Sequence, residues 1–124
     1  MPLTKHELVR STILSRGTYY TYDAIDVKVS DTGVAPNADG RKIVPAGTIV
    51  GGESAPRLTK PDEPVVEKNS ADAEGVLLAA VDVTDGYRRG AMLRRGYVDL
   101  DALPSAPAAA AIQALPGITF EKKQ

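Results

Sequence analysis

The sequence predicts a mainly β fold: a small β-rich barrel or sandwich-like domain, with a short helix near the C-terminus and an extended N-terminal arm. Three observations carry that expectation. Apolar and polar residues alternate through residues 24–30, "AIDVKVS", the period of a strand with one solvated face. Nine prolines and eleven glycines are scattered through 124 residues, which divides the chain into many short elements joined by turns. Only residues 108–115, "AAAAIQAL", are rich in the best helix former, and Pro116-Gly117 ends that run.

The elements follow in order. Residues 1–17 form the arm. Thr4-Lys5-His6-Glu7 has capping-box spacing, and Leu8, Val9, Ile13 and Leu14 recur at helical intervals, but Ser11, Thr12 and Ser15 lower the propensity. One short helical stretch and an extended arm that docks elsewhere both fit. Residues 18–124 form a single β-rich domain. Its first strand runs through "YYTYDAIDVKVS", and "APNADGR" follows as a turn cluster, with Asp39-Gly40 suited to positive φ. In "KIVPAGTIVGG" Pro45 lacks an N–H for a ladder, so it belongs at a strand end or edge. The chain bends at Ala46-Gly47 and "TIVG" resumes as a strand.

Residues 53–74 are polar and Pro-rich and read as a long surface loop with one extended piece at Val65-Val66. Loops of this length usually contact something. Residues 75–103 read as a hairpin: Val81 and Val83 flank Asp82, "TDGYRRG" reverses the chain, and residues 97–101 alternate again. Gly96 within that second run marks a bulge or a close backbone approach. After the Ala-rich helix, "GITFEKK" reads as a last strand with a solvated end.

Composition narrows the function classes. Hydrophobic residues make up 43% of the chain and aromatics 5%, so the core is expected to be Val, Ile, Leu and Ala. A net charge of −1 speaks against a nucleic-acid partner, which gains from a broad positive field. No apolar run approaches the ~20 residues that cross a bilayer, so no membrane partner is expected. With no cysteine there is no disulfide and no thiolate chemistry, which fits synthesis in a reducing cytoplasm.

Candidate chemistry is sparse. The sole histidine, His6, lies in the arm, a poor place to fix a catalytic partner beside it. Asp82, Asp85, Asp99 and Asp101 lack the spacing of a calcium loop and read as solvated carboxylates. Carboxylate pairs for glycoside hydrolysis arise by chance among sixteen acids, and "GTIVGG" lacks the Lys-Ser/Thr of a phosphate loop. The expectation is a protein with no catalytic residue, no cofactor and no metal, hence no enzyme. Two groups remain as partner-binding candidates. Arg88, Arg89, Arg94 and Arg95 crowd the hairpin, and would form one basic patch for an acidic partner if its limbs pair across "RRGAML". Tyr19, Tyr20 and Tyr22 fit an interface or a half-buried edge strand.

Three segments together carry a family resemblance: "IVPAGTIVGG", then "AEGVLLAAVDVTDG", then "AMLRRGYVDLDAL". Their order resembles that of tailed-phage head decoration and head fibre proteins. The matching positions are Ala46, Gly47, Thr48 and Val50, then Ala73, Gly75, Val76, Leu77, Asp82 and Val83, then Gly96, Val98 and Leu103, covering residues 40–104. The resemblance implies a structural virion protein on the capsid surface, made in the host cytoplasm, with the major capsid protein as partner and a homo-trimer as its form. The chain departs from the trimeric pattern in its Tyr-rich start and Ala-rich tail. The alternatives are another virion or tail-assembly component, or a small ligand- or glycan-binding β module. The latter requires Tyr19, Tyr20, Tyr22, Tyr87 and Tyr97 to meet in one concave site.

Overall fold

Eight strands and one short helix make up the described chain. The structure is a computed structural model that describes residues 13–14 and 22–122. The strands are β1 (Asp23–Val29), β2 (Ile43–Val44), β3 (Ile49–Gly52), β4 (Val65–Glu67), β5 (Gly75–Leu77), β6 (Val81–Asp82), β7 (Arg88–Asp99) and β8 (Ile118–Glu121). A 3-10 turn, Leu100–Ala102, follows β7, and helix α1 spans Ala109–Ala114. The fold is mainly β, as expected.

Five strands close a barrel. The order runs β1-β4-β3-β5-β7, and β7 returns to pair with β1 along Asp23–Val29, which closes the ring. Neighbours are antiparallel except β1 and β4, which pair parallel at Val29 and Val65. Strands β2 and β6 form a separate two-stranded sheet.

The apolar residues divide into two clusters, and strand pleat explains the division. Val27, Val29, Val50, Val65, Leu77 and Met92 face the barrel interior, joined there by Val44, Val81 and Val83 from β2, β6 and the turn after β6. The alternate residues of β3, β5 and β7, Ile49, Val76 and Leu93, point outward and pack under Ala111, Leu115 and Ile118 from the C-terminal segment. Strands buried on both faces read as unbroken apolar runs, which is why "GTIVGG" and "GVLL" lack alternation. The half-solvated β1 keeps it.

Two residues of the arm, Ile13 and Leu14, dock on the outer cluster. Ile13 is fully buried there, and Leu14 bridges Val98 in antiparallel fashion. The Asp99 amide donates to the Ile13 carbonyl at 2.7 Å. The capping-box expectation at Thr4–Glu7 lies outside the described residues.

The region 75–99 differs from the expected hairpin. Antiparallel β5 and β7 do pair, at Val76 with Leu93 and Leu77 with Met92. However, "RRGAMLRR" is no crossing between limbs; it is one continuous length of β7. Gly90 accounts for the difference. It faces Val27 across the ladder, and a Cβ there would meet the Val81 side chain at 2.7 Å. Its role is close packing instead of a turn. The second run also ends sooner than expected, because the Asp99 side chain accepts from the Asp101 amide and caps the 3-10 turn. Asp99 is accordingly buried and not solvated.

Other expectations hold. Val65–Glu67 is the extended piece of the long loop, Pro45 closes β2, and Gly47 bends the chain at φ 89°. Gly96, at φ 152°, follows a bulge: Asp23 faces Arg95 while Ala24 faces Leu93, so Arg94 has no opposite.

Candidate functional site

The surface carries three features, and each is built by the strand register. The first involves the arginines. Arg88 stands opposite Val29, the last residue of β1, and Arg95 opposite Asp23, the first. The two arginine pairs therefore occupy opposite ends of the β1–β7 ladder, roughly 15–20 Å apart at 3.3 Å per residue. They form two basic sites, not the single patch expected of a hairpin. Arg89 is neutralised by Asp26, Nη1 to Oδ2 at 2.8 Å. Among the described residues Arg88, Arg94 and Arg95 have no ion-pair partner, and all three are exposed.

Around Arg89 a mixed cluster forms on the outer face of β1 and β7. Asp26 and Lys28 point outward because Val27 and Val29 point in. The Lys28 ammonium lies 5.3 Å from the centre of the Tyr87 ring, within cation–π range. Arg57, reaching from the long loop, donates from Nη2 to the Asp26 carbonyl at 3.1 Å.

The second feature is that loop. Residues 53–64 are polar, yet they are tied down by carboxylates. Glu74 Oε2 accepts from the amides of Gly52 at 2.7 Å and Arg57 at 2.8 Å, and Oε1 accepts from Leu58 at 2.9 Å. Glu63 accepts from the Ser54 amide at 2.7 Å. Hydrogen bonds to a carboxylate are among the stronger ones, so the loop is held in one shape. Its tip displays Leu58, which is 67% exposed, the most exposed large apolar side chain described. A cleft of about 360 Å³ opens between this loop and residues 68–74.

The third feature is an edge. Beyond the bulge, residues 96–99 of β7 leave the barrel and pair with β8 in parallel, Gly96 with Ile118 through Asp99 with Glu121. On the other side Leu14 bridges Val98. Strand β8 therefore forms an open edge of the six-stranded sheet.

The tyrosines do not converge. Tyr22 packs half-buried against the outer cluster, Tyr97 is half-buried on β7, and Tyr87 is 63% exposed at the far end. None of them lines either cleft, the second being a space of about 270 Å³ at the barrel mouth near Val29, Val44 and Pro45. Tyr19 and Tyr20 lie outside the described residues.

Of the acidic candidates, Asp82 is the most perturbed. Hydrogen bonds from the Thr84 hydroxyl and amide, together with Arg41, hold its carboxyl at about 2, well below the usual 3.8. It locks the β2–β6 unit, since Arg41 precedes β2 and pairs with it. Asp101 faces Lys122 at 3.5 Å. Among the described residues no group of three or more His, Asp or Glu is placed to hold a metal ion.

Sequence reasoning missed Leu58, Glu74, Asp26 and Arg57. Leu58 did carry a signal, as the lone large aliphatic residue in "ESAPRLTKPDEP". Glu74 carried none, because its partners lie 16 to 22 residues away. The chain matches no family model, no curated protein and no solved structure in comparisons with each.

Proposed function

We propose that the chain is a structural virion protein that binds the outer surface of a tailed-phage capsid and stabilises it, as a head decoration or head fibre component. The resemblance of residues 40–104 to those families motivates the reading. The observation that carries it is the open edge of β8. The barrel is closed by β1 and β7, and its interior is filled by Val, Leu and Met. A neighbouring chain can add a strand where β7 outruns the barrel, at β8. Leu14 bridges the same stretch of β7, at Val98. Docking by strand addition needs this combination of rigid body and free backbone edge.

The mechanism is complementarity of surfaces. The rigid loop around Leu58 and the free edge of β8 each supply a contact that loses little conformational entropy on docking. Several copies engaging a lattice multiply modest affinities through effective concentration. Arg94 and Arg95, exposed and without ion pairs among the described residues, offer charge for an acidic surface.

The test is co-sedimentation with purified tailed-phage capsids. The proposal expects pelleting that saturates at a fixed copy number per capsid, and capsids that then withstand higher temperature. Failure to pellet with capsids, alongside binding to isolated tails, would move the protein to tail assembly.

A further inference from the structure

We infer that the cleft at the barrel mouth is a socket for a lysine side chain presented by a partner protein, with Glu67 meeting its ammonium. The socket is a property of one protomer's surface and does not depend on the capsid reading.

Strand register builds it. In the β3–β4 pair Val65 lies opposite Gly52, and Glu67 lies opposite Val50. Directly opposed residues share a face, and residues two apart on a strand do too. Val50 and Val65 face the barrel interior, so Glu67 stands on the inward face of β4. Strand β1 meets β4 only at its end: Val29 pairs with Val65, and the Ser30 amide donates to the Val65 carbonyl at 2.9 Å. The chain then turns, with the Val34 amide donating to the Asp31 carbonyl at 3.2 Å. Strand β4 therefore outruns its neighbour, and Glu67 lines an opening instead of a packed core. It is exposed, and among the described residues its carboxylate has no hydrogen bond and no ion pair.

The cleft selects its guest by size and by proton count. Its volume of about 270 Å³ lies below the roughly 300–1,000 Å³ of small-molecule sites, and suits a single inserted side chain. Val29, Val44 and Val50 make an apolar, buried floor on which a methylene stem can lie. The buried polar lining has spent its protons. The Ser30 hydroxyl donates to Thr32 Oγ1 at 2.9 Å, and the Thr48 hydroxyl donates to the Pro45 carbonyl at 2.7 Å. Both can offer a guest only lone pairs, and the Glu67 carboxylate likewise only accepts. Among the described residues no Lys, Arg or His lines the cleft, and Lys42 beside it is already paired with Asp31 at 3.9 Å. A lysine answers both demands, with an aliphatic stem for the floor and an ammonium that donates and never accepts. Carried on a protein, it also brings backbone to cover the rim at Pro104 and Ser105.

NMR titration of the full chain tests this, with Nα-acetyl-lysine methylamide as the probe. Saturable shifts are expected at Val29, Val44, Val50 and Glu67, with Leu58 at the other cleft unmoved. Glu67→Gln should weaken binding about tenfold or more. Ser105→Trp, at the exposed rim, should abolish it by closing the mouth. Both variants change exposed side chains, and unshifted β1 and β7 amides would confirm that each is folded. The norleucine derivative, with a stem but no ammonium, should not bind. n-Butylamine should bind more weakly than the lysine derivative; tighter binding would assign the cleft to a free amine and overturn the protein partner. No saturable shift at the cleft, equal binding of the norleucine derivative, or an unchanged affinity in Glu67→Gln would each overturn the socket itself.

Discussion

The barrel interior and the outer cluster are both made of small aliphatic residues, yet they are built differently. The interior is closed by strands paired on both sides, and every contributor lies between Val27 and Met92. The outer cluster borrows from both ends of the chain: Ile13 from the arm, and Ala111, Leu115 and Ile118 from the tail. Its covering elements are weakly secured. Helix α1 has six residues and no side-chain N-cap, and β8 pairs on one side only. A short helix persists only through packing. The interior is therefore a scaffold, while the cover is a separately held layer at the place where partners are proposed to bind.

The largest expected effect breaks the interior. Leu77 is fully buried there, and Leu77→Ala should cost about 2–5 kcal/mol, seen as a lower denaturant midpoint with an unchanged slope. Leu115→Ala thins the cover instead. Its cost should fall at the lower end, about 2 kcal/mol, because α1 can settle into the gap. Local protection of β8 should fall more than that of β3. Equal losses of protection in both regions would show that they form one cooperative unit.

Glu74→Ala removes the acceptor of three amides, those of Gly52 at the end of β3 and of Arg57 and Leu58 in the long loop, and should destabilise by about 1–3 kcal/mol. Proteolysis between residues 53 and 64 is the sensitive readout, since the wild-type loop should resist cleavage. Asp82 sharpens the comparison from the β2–β6 sheet. Its carboxyl is depressed to about 2, so the stability it adds is present above 3.8 and is lost as pH falls toward 2. The melting temperatures of wild type and Asp82→Asn should differ at neutral pH and converge near pH 2. Smallest is Arg89→Ala. Its pair with Asp26 is more than half exposed on both sides, and the change should stay under about 1 kcal/mol.

Much of the fold was legible because local rules and tertiary packing agreed. The alternation of β1, the strand end at Pro45, the Ala-rich helix and the glycines at 40 and 47 all follow from local rules. Reading failed where a glycine served packing. Gly90 looked like a break between two limbs, but its missing Cβ admits Val81, and β7 runs straight through. Gly75 is similar, for a Cβ there would stand 2.6 Å from the Leu93 carbonyl oxygen. The surface features were less legible than the fold. Which arginines keep free charge depends on Asp26, brought beside Arg89 only by the barrel register, and the loop's shape depends on Glu74 acting across 16 residues.

Native-state hydrogen exchange tests the division between scaffold and cover most directly. The account predicts that amides of β3 and β5 exchange only through global unfolding, and that those of α1 and β8 exchange through a smaller opening, at lower denaturant dependence. Exchange of all four elements at one common free energy would contradict it.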